Sequence, residues 1–284
     1  GFDENGDCWG GWGGPSVDLM DAFGVSPKDD PASRVDPDHR RKATIMMPGD
    51  VYSYFWRDHD LPANAQKDGL KKGFSYLDFW YNKDYNSAAT GQCQGPCGGS
   101  NVKHLYGDNA GRMSNALPTP ILRLADIYLI YAEDQVLMGN PTDQLALDCF
   151  NQVRGRAYEW QGFVRKTTLT FDDIWKERRL EFAGEGDRWY DFVRRAYYDV
   201  DGCIAELKAQ RRNAMWNCDE AYKNYYNNGT WDASSIEYDS TTAAPNVTAS
   251  SFTLPFPTED VALNPNLGSN APAVHVDVRN TYSY

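Results

Sequence analysis

Apolar residues recur at helical spacing in the middle of the chain. Between Thr119 and Gly139 they form one stripe: Ile121, Leu124, Ala125, Tyr128, Leu129, Ala132 and Val136. This spacing predicts a helix of about five turns, capped by Thr119 and ended by Gly139. A second helix is predicted from Asn140-Pro141, with a stripe of Leu145, Cys149, Val153 and Ala157. The short turn between the two predicts an antiparallel helical hairpin of the tetratricopeptide kind.

Three further helices are predicted after this hairpin. A third helix begins with Thr170-Phe-Asp-Asp173, which resembles a capping box, and runs to about Ala183. A fourth begins at Asp187, and a fifth covers Asp201–Tyr226. The predicted fold is therefore mainly α, with tetratricopeptide-like helix pairs forming a scaffold over residues 117–227.

The regions on either side of this scaffold lack a clear period. Residues 1–116 are rich in turns and aromatic residues, with a short helix predicted at Val17–Phe23 and a possible strand at Lys42–Met47. Residues 228–284 are rich in Thr, Ser, Asn and Pro, with one strand-like segment at Ser251–Phe256. We interpret the first region as the irregular, loop-rich ligand-binding side and the last as a loop-rich C-terminal segment.

Composition narrows the class of ligand. The 284-residue chain has a net charge of −12 and contains 9 Trp, 18 Tyr and 12 Phe. A chain this acidic does not supply the positive field that phosphates require, so no nucleic acid partner is predicted. Aromatic rings beyond the needs of a core favour a surface that stacks on sugar rings or peptides. The four histidines show neither metal-ligand spacing nor a triad, and we predict no metal and no cofactor.

Six cysteines are compatible with disulfide bonds in an exported protein, and the sequence leaves their pairing open. Cys93 and Cys97 are the one close pair. A local disulfide or two free thiols is favoured there over a metal site, because only His104 offers a further ligand nearby.

The segment FDDIWKERRLEFAGEGDRWYDFVRR, residues 171–195, is dense in carboxylates and arginines. A glycoside hydrolase needs two carboxylates facing each other across a cleft, and Glu177 and Glu181 lie one helical turn apart. Arginines within reach would keep such carboxylates ionised, the opposite of what a general acid needs. The expected partners are Arg178, Arg179, Arg188, Arg194 and Arg195. We therefore predict no catalytic residue here, but a structural ion-pair network of Arg123, Glu177, Arg178, Glu181, Arg188 and Asp191.

Four blocks, in this order, resemble the SusD/RagB family. They are PILRLADIYLIYAE (120–133), NQVRGRA (151–157), WKERRLEFAGEGDRWYDFVR (175–194) and LPFPTEDVALNPNL (254–267). PSVDLMDAF (15–23) is similar to the segment that precedes them in that family. The resemblance implies helix pairs of the tetratricopeptide type with a loop-rich ligand-binding part.

The same resemblance implies a function. Members are outward-facing outer-membrane lipoproteins of Bacteroidota that bind nutrients and are not enzymes. They capture glycans and deliver them to a SusC-type TonB-dependent transporter. Members are usually much longer, so we expect an N-terminal half with the lipid anchor to precede Gly1 and to pack against this chain. Two alternatives stay open: a peptide-capturing RagB-like member, and, from another class, a tetratricopeptide adaptor that binds proteins.

Ligand-contacting residues are predicted on physical grounds, because the family motifs locate the scaffold and not the site. Trp9 and Trp12 lie in a glycine loop that is unable to bury both rings. Trp80, Tyr81 and Tyr85 combine aromatic rings with hydrogen-bonding neighbours. Tyr54 and Trp56 alternate along a possible strand, where packing in the core is the competing role. The candidates are Trp9, Trp12, Trp80, Tyr81, Tyr85, Tyr54 and Trp56.

Overall fold

The computed structural model describes residues 14–67, 69–92, 99–103, 120–211, 215–216, 218–238, 245–254 and 256–268. Over these residues the protein is mainly helical, as the apolar periodicity predicted. The helices are α1 (Val17–Phe23), α2 (Arg40–Thr44), α3 (Tyr76–Tyr81), α4 (Leu124–Leu137), α5 (Gln144–Ala157), α6 (Phe171–Glu181), α7 (Asp187–Ala196), α8 (Val200–Ala209), α9 (Cys218–Asn228) and α10 (Thr258–Leu263). Short 3₁₀ turns cover Ala63–Ala65, Ala249–Phe252 and Pro265–Gly268.

The strands in the described residues are two residues long and form antiparallel pairs. They are β1 (Ile45–Met46) with β4 (Ser100–Asn101), β2 (Val51–Tyr52) with β3 (Phe74–Ser75), and β5 (Met215–Trp216) with β6 (Glu237–Tyr238). In the first pair Ile45 lies opposite Asn101, and in the second Val51 lies opposite Ser75. Such short ladders fasten loops together without forming a layer of their own.

The predicted helical hairpin is present as α4 and α5. Both helices start later than expected: Arg123 occupies the N-cap of α4, and Asp143 caps α5 by accepting a hydrogen bond from the Ala146 amide at 2.8 Å. Thr119, the predicted cap of the first helix, lies outside the described residues. The predicted stripe on α5 was wrong at Leu145, which is 58% exposed, because the buried face at this end of the helix is formed by Ala146 and Leu147. The predicted stripe of the first helix was wrong at Ile121 and Leu124, which are also exposed.

The capping box that opens α6 is also confirmed. The Thr170 hydroxyl accepts from the Asp173 amide at 3.1 Å, and the Asp173 carboxylate accepts from the Thr170 amide at 3.1 Å. Two glycines with positive φ, Gly184 at +80° and Gly186 at +97°, then turn the chain into α7. Glycine adopts this conformation without the steric cost that other residues bear, so α7 can start immediately.

Three predictions of secondary structure were wrong in part. The single helix expected over 201–226 is two helices, α8 and α9, because Gln210 leaves the helical conformation with ψ of 128°. The strand expected over 42–47 is confined to β1, since the preceding residues form α2. The strand-like segment at 251–256 overlaps a 3₁₀ turn that Thr248 and Ser251 cap reciprocally.

Helix α6 joins three apolar clusters of the described residues. Leu180 packs in a cluster with α1, α3 and α9, while Ile174 packs with α4 and α5. Trp175 packs with α7, α8 and the 3₁₀ turn at 249–252. The position of this one helix therefore relates the loop-rich N-terminal region to the helical scaffold.

Two further findings concern the described residues alone. No helix among them is both long and apolar enough to cross a bilayer. Cys149 and Cys203 are buried free thiols. Cys8, Cys93 and Cys97 lie outside the described residues, so the choice between a local disulfide and two free thiols at Cys93 and Cys97 stays open.

Candidate ligand-binding site

The carboxylates of α6 are held by arginines from other helices. Glu177 is 1% exposed; one of its oxygens lies 2.8 Å from a terminal nitrogen of Arg40 on α2, and the other accepts a hydrogen bond from Arg154 on α5 at 2.9 Å. The two guanidinium groups supply the counter-charge that a buried carboxylate needs, and the hydrogen bond from Arg154 orients it. It therefore joins α6 to α2 and α5.

Glu181, one turn further along α6, has an even denser environment. It accepts hydrogen bonds from Arg40 at 3.0 Å and from Arg123 at 2.8 Å, and it also pairs with Arg156. Burial alone would raise the pKa of Glu181, but the hydrogen bonds from Arg123 and Arg156 and the charge of Arg40 lower it to about 2. A carboxyl group with this pKa stays ionised near neutral pH and does not act as a general acid there.

Arg178 points in the opposite direction, toward α4 and α7. It hydrogen-bonds Asp191 at 2.9 Å and Asp126 at 2.6 Å, and its guanidinium carbon lies 5.0 Å from the centre of the Phe182 ring. Arg123 lies over the same ring at 4.8 Å. The Phe182 ring thus contacts two cations that bind different carboxylates.

The sequence predicted one network of these charges, whereas in the described residues their salt bridges form two groups, one around Glu177 and Glu181 and one around Arg178 and Asp191. Glu177 and Glu181 were expected to pair with arginines on α6 and α7; instead their partners come from α2, α5 and the start of α4. Arg188 binds Glu206 on α8 at 3.1 Å, and lies 3.9 Å from Asp191. Arg178 and the arginines of α7 bind other carboxylates instead, namely Asp126, Asp191, Glu133, Asp199 and Glu206.

A cleft of about 320 Å³ opens between α3 and α9, on the loop-rich side of the molecule. Its lining combines two half-buried tyrosines, Tyr225 and Tyr226 at the end of α9, with hydrogen-bonding side chains from the facing loop and from α3. Those hydrogen-bonding residues are Ser75, Asp78, Asn64 and Lys67. The size lies at the lower end of the range of small-molecule sites.

Asp78 organises the floor of this cleft. Its buried carboxylate accepts hydrogen bonds from the Ser75 hydroxyl at 2.5 Å, the Tyr226 hydroxyl at 3.1 Å and the Asn82 amide at 3.2 Å. Burial raises the pKa of Tyr226, with the charge of Asp78 acting in the same direction, to about 12. Tyr226 therefore stays a neutral hydrogen-bond donor, and its ring is held at the wall of the cleft.

The aromatic residues predicted to contact ligand have different positions. Trp56 and Trp80 are 1% and 9% exposed, so protein atoms cover both rings. Tyr54 is 42% exposed and packs edge-on against Phe55, with ring centres 5.0 Å apart. Trp9 and Trp12 lie outside the described residues. Trp56 is therefore a core residue, which was the competing role for the aromatics that alternate along the possible strand.

Tyr81 and Tyr85 support the cleft from behind. The Tyr81 hydroxyl donates to Asp219 at 2.7 Å, and its ring lies 5.4 Å from that of Tyr226. The Tyr85 hydroxyl donates to the carbonyl of Gly73 at 2.7 Å and accepts from the Ser75 amide at 3.0 Å. Both tyrosines thus position residues of the cleft.

Sequence reasoning missed Tyr225 and Tyr226 as candidates. They fell inside a predicted helix, where aromatics are normally core. The available signal was their place in the last turn, directly before Asn227, Asn228 and Gly229. A helix that ends in polar residues and glycine leaves its last side chains beside an open loop.

The cleft is lined mainly by apolar and hydrogen-bonding residues. Of the described residues that line it, Asp78 is the one carboxylate, whereas glycoside hydrolysis normally requires a pair. No group of three or more His, Cys, Asp or Glu side chains within the described part of the chain could hold a metal ion. Ring faces and hydrogen-bonding groups in a concave surface suit a polyhydroxylated ligand.

Comparison with known proteins gives a consistent result. The family model of the SusD family matches residues 3–272. A SusD-like protein of Bacteroides ovatus is 32% identical over 284 aligned residues, covering 94% of this chain and 43% of that protein. A SusD-like protein of Formosa agariphila is 35% identical over 138 residues, covering 47% of this chain and 23% of that protein. This chain therefore spans less than half the length of these relatives.

Two solved structures have a similar fold. One crystal structure, determined with a xylogluco-oligosaccharide, has a TM-score of 0.60 and 28% identity, and the match covers 92% of this chain and 46% of that one. Another has a TM-score of 0.59 and 25% identity, over 93% of this chain and 47% of that one.

The environment of Glu181 predicts a specific acid sensitivity. Its pKa is lowered in the folded state, so its contribution to stability is complete above the unfolded-state value of 4.5 and is lost as the pH falls to about 2. We expect this group to supply on the order of 3 kcal/mol to the free energy of unfolding at neutral pH. In Glu181→Gln the free energy of unfolding should be lower at neutral pH and should depend less steeply on pH in this window.

Urea unfolding at a series of pH values measures this effect. Glu220→Gln, which alters an exposed carboxylate on α9, is the matched control and should keep the wild-type dependence. An acid dependence in Glu181→Gln as steep as that of the wild type would contradict the assignment.

Proposed function

Because this chain belongs to the SusD family, we propose that it is a cell-surface nutrient-binding protein that captures an oligosaccharide. The observation that carries this proposal is the cleft between α3 and α9, where two tyrosine rings lie beside hydrogen-bonding side chains. A xylogluco-oligosaccharide in a related crystal structure supports glycans as the ligand class.

In the proposed complex Tyr225 and Tyr226 stack against a sugar ring. The apolar C–H face of the sugar packs on the flat face of each tyrosine ring. Asn64 and Lys67, which are exposed residues of the same lining, supply donors and an acceptor for sugar hydroxyls, whereas the Ser75 hydroxyl is engaged by Asp78. Asp78 acts indirectly, because its buried carboxylate fixes the Tyr226 hydroxyl and so the plane of that ring. The protein binds its ligand and does not cleave it.

We further propose that the captured glycan is delivered to a SusC-type TonB-dependent transporter in the outer membrane of a Bacteroidota cell. In this proposal the protein faces outward and is anchored by an N-terminal lipid. The support is the family membership together with the order of the matching sequence blocks. A peptide-capturing role uses the same scaffold and is the main alternative.

The surface of α4 that points away from α5 supports a further proposal about the whole protein. Apolar residues are exposed on it and just before it: Ile121, Leu122, Leu124, Ile127, Ile130, Leu137 and Met138. Exposed apolar patches of this extent mark interaction surfaces. The relatives are more than twice as long as this chain, and an incomplete stack of helix pairs leaves one face uncovered. We propose that an N-terminal half of the same protein packs on this outer face of α4.

The glycan proposal is tested by a binding screen of oligosaccharides and short peptides, followed by variants. We expect saturable glycan binding that Tyr225→Ala and Tyr226→Ala each weaken by about tenfold, because each removes a ring face. Tyr226→Phe, which keeps the ring and loses the hydroxyl, should weaken binding less. Tyr190→Ala alters an exposed ring on α7, outside the cleft, and should leave affinity unchanged.

Other outcomes of this screen relocate or replace the proposal. Loss of glycan binding only in a Trp9→Ala, Trp12→Ala double variant would move the site to the glycine loop. Tight binding of peptides alone would replace the ligand class and leave the scaffold assignment standing. If this protein binds neither glycans nor peptides and a pull-down returns a soluble protein partner, the adaptor alternative is favoured.

The proposal about α4 predicts a context-dependent effect. In this chain the double variant Ile127→Asp, Ile130→Asp should change the free energy of unfolding by less than about 1 kcal/mol, because both side chains are substantially exposed. In the longer protein the same change should cost about 3 kcal/mol or more, because it would bury two charges. Val164→Asp, at an exposed loop position, is the control in both. Equal tolerance in both proteins would contradict the proposal.

A further inference from the structure

A second cleft, of about 490 Å³, lies away from the tyrosine cleft, where α1 approaches the turn between α6 and α7. Its walls include Ser16 and Leu19 of the α1 end, Arg179 and Phe182 of the α6 end, and Arg188 of α7. Among the described residues the rim is open at Gly186, where an added methyl group would meet nothing within 4 Å. A ligand can therefore approach from the side of the turn.

The lining of this cleft is positive, in a chain whose net charge is −12. Two guanidinium groups contribute to it, and none of the described lining residues is a carboxylate. Arg178, Arg188, Arg194 and Arg195 each bind a carboxylate. Arg179 differs from them: it is half-buried, and within the described residues it makes no ion pair or side-chain hydrogen bond.

Arg188 is held rigidly at the other wall. Its guanidinium carbon lies 3.7 Å from the centre of the Trp175 ring, and it donates to Glu206 and to the carbonyl of Trp175, both at 3.1 Å. Burial lowers the pKa of Arg188 to about 10, the positive charge of Arg179 acts in the same direction, and Glu206 and Asp191 oppose it only in part. Both cations line the same cleft, so an anion bound between them would relieve their mutual repulsion.

The chemistry of the remaining walls restricts the anion. Leu19 and Phe182 provide apolar surface, while Ser16 and Gln210 add polar groups. A guanidinium group matches the planar, two-oxygen geometry of a carboxylate, and the volume exceeds what a bare ion needs. We propose that this cleft binds a carboxylate borne by a sugar ring, so that the protein prefers glycans containing a uronic acid. The sugar part rests on the proposed glycan function, whereas the carboxylate site does not.

The test compares a glucuronate-containing oligosaccharide with its neutral counterpart by calorimetric titration of the intact protein. We expect the acidic ligand to bind more tightly, and the preference to shrink as salt screens the charges. Arg179→Gln should weaken binding of the acidic ligand by about tenfold or more, as expected for a charge-assisted hydrogen bond, and leave the neutral ligand unchanged. Arg179→Lys should retain part of the preference because it keeps the charge.

Arg165→Gln, which alters an exposed arginine paired with Asp148 at 3.5 Å, is the matched control and should not affect either ligand. Equal affinity for the acidic and neutral ligands, or an unchanged preference in Arg179→Gln, would overturn the inference and leave the tyrosine cleft untouched. If acetate binds as tightly as the glucuronate-containing oligosaccharide, the sugar contributes nothing to affinity, and the proposal of a uronic acid ligand is wrong. A failure of the proposed glycan function would instead appear as loss of binding of the neutral ligand.

Discussion

The fold depends on buried carboxylates of α6 that must be paired. Taking a charge out of water costs several kcal/mol unless an opposite charge and hydrogen bonds replace the water. Glu177 and Glu181 meet this requirement with arginines from α2, α5 and the start of α4. Each arginine must occupy a fixed position, because otherwise a carboxylate would be buried without a counter-charge. The network therefore specifies how helices distant in sequence are arranged, whatever its net contribution to stability.

The binding surfaces follow from this arrangement. Because α6 packs in three apolar clusters at once, fixing it also fixes α1, α3 and α9 on one side and α7 and α8 on the other. The tyrosine cleft lies at the edge of the first group, and the arginine cleft lies where α1 meets the α6–α7 turn. Both are made of residues at helix ends and loops held by this rigid framework, which is where ligand sites commonly form.

The scaffold was more predictable from the sequence than the site. Helical periodicity and capping chemistry are local properties, so α4, α5, α6 and α7 could be found with errors of a few residues at their ends. Arg40 could not be identified as a partner of Glu177, because the two are 137 positions apart and nothing local relates them. Tyr226 was missed for a similar reason. Its role follows from Asp78 on a distant helix, and no periodic pattern encodes that contact.

The central claim is that the α6 carboxylates are structural and that ligand binding takes place elsewhere. Glu177→Gln tests it most directly, by the free energy of unfolding and the glycan affinity of the same protein. The account predicts a loss of about 3 kcal/mol of stability, because Arg40 and Arg154 lose a buried counter-charge, with unchanged glycan affinity under conditions where the variant is fully folded. A variant that keeps wild-type stability but loses glycan binding, or loses a glycan-cleaving activity present in the wild type, would contradict it.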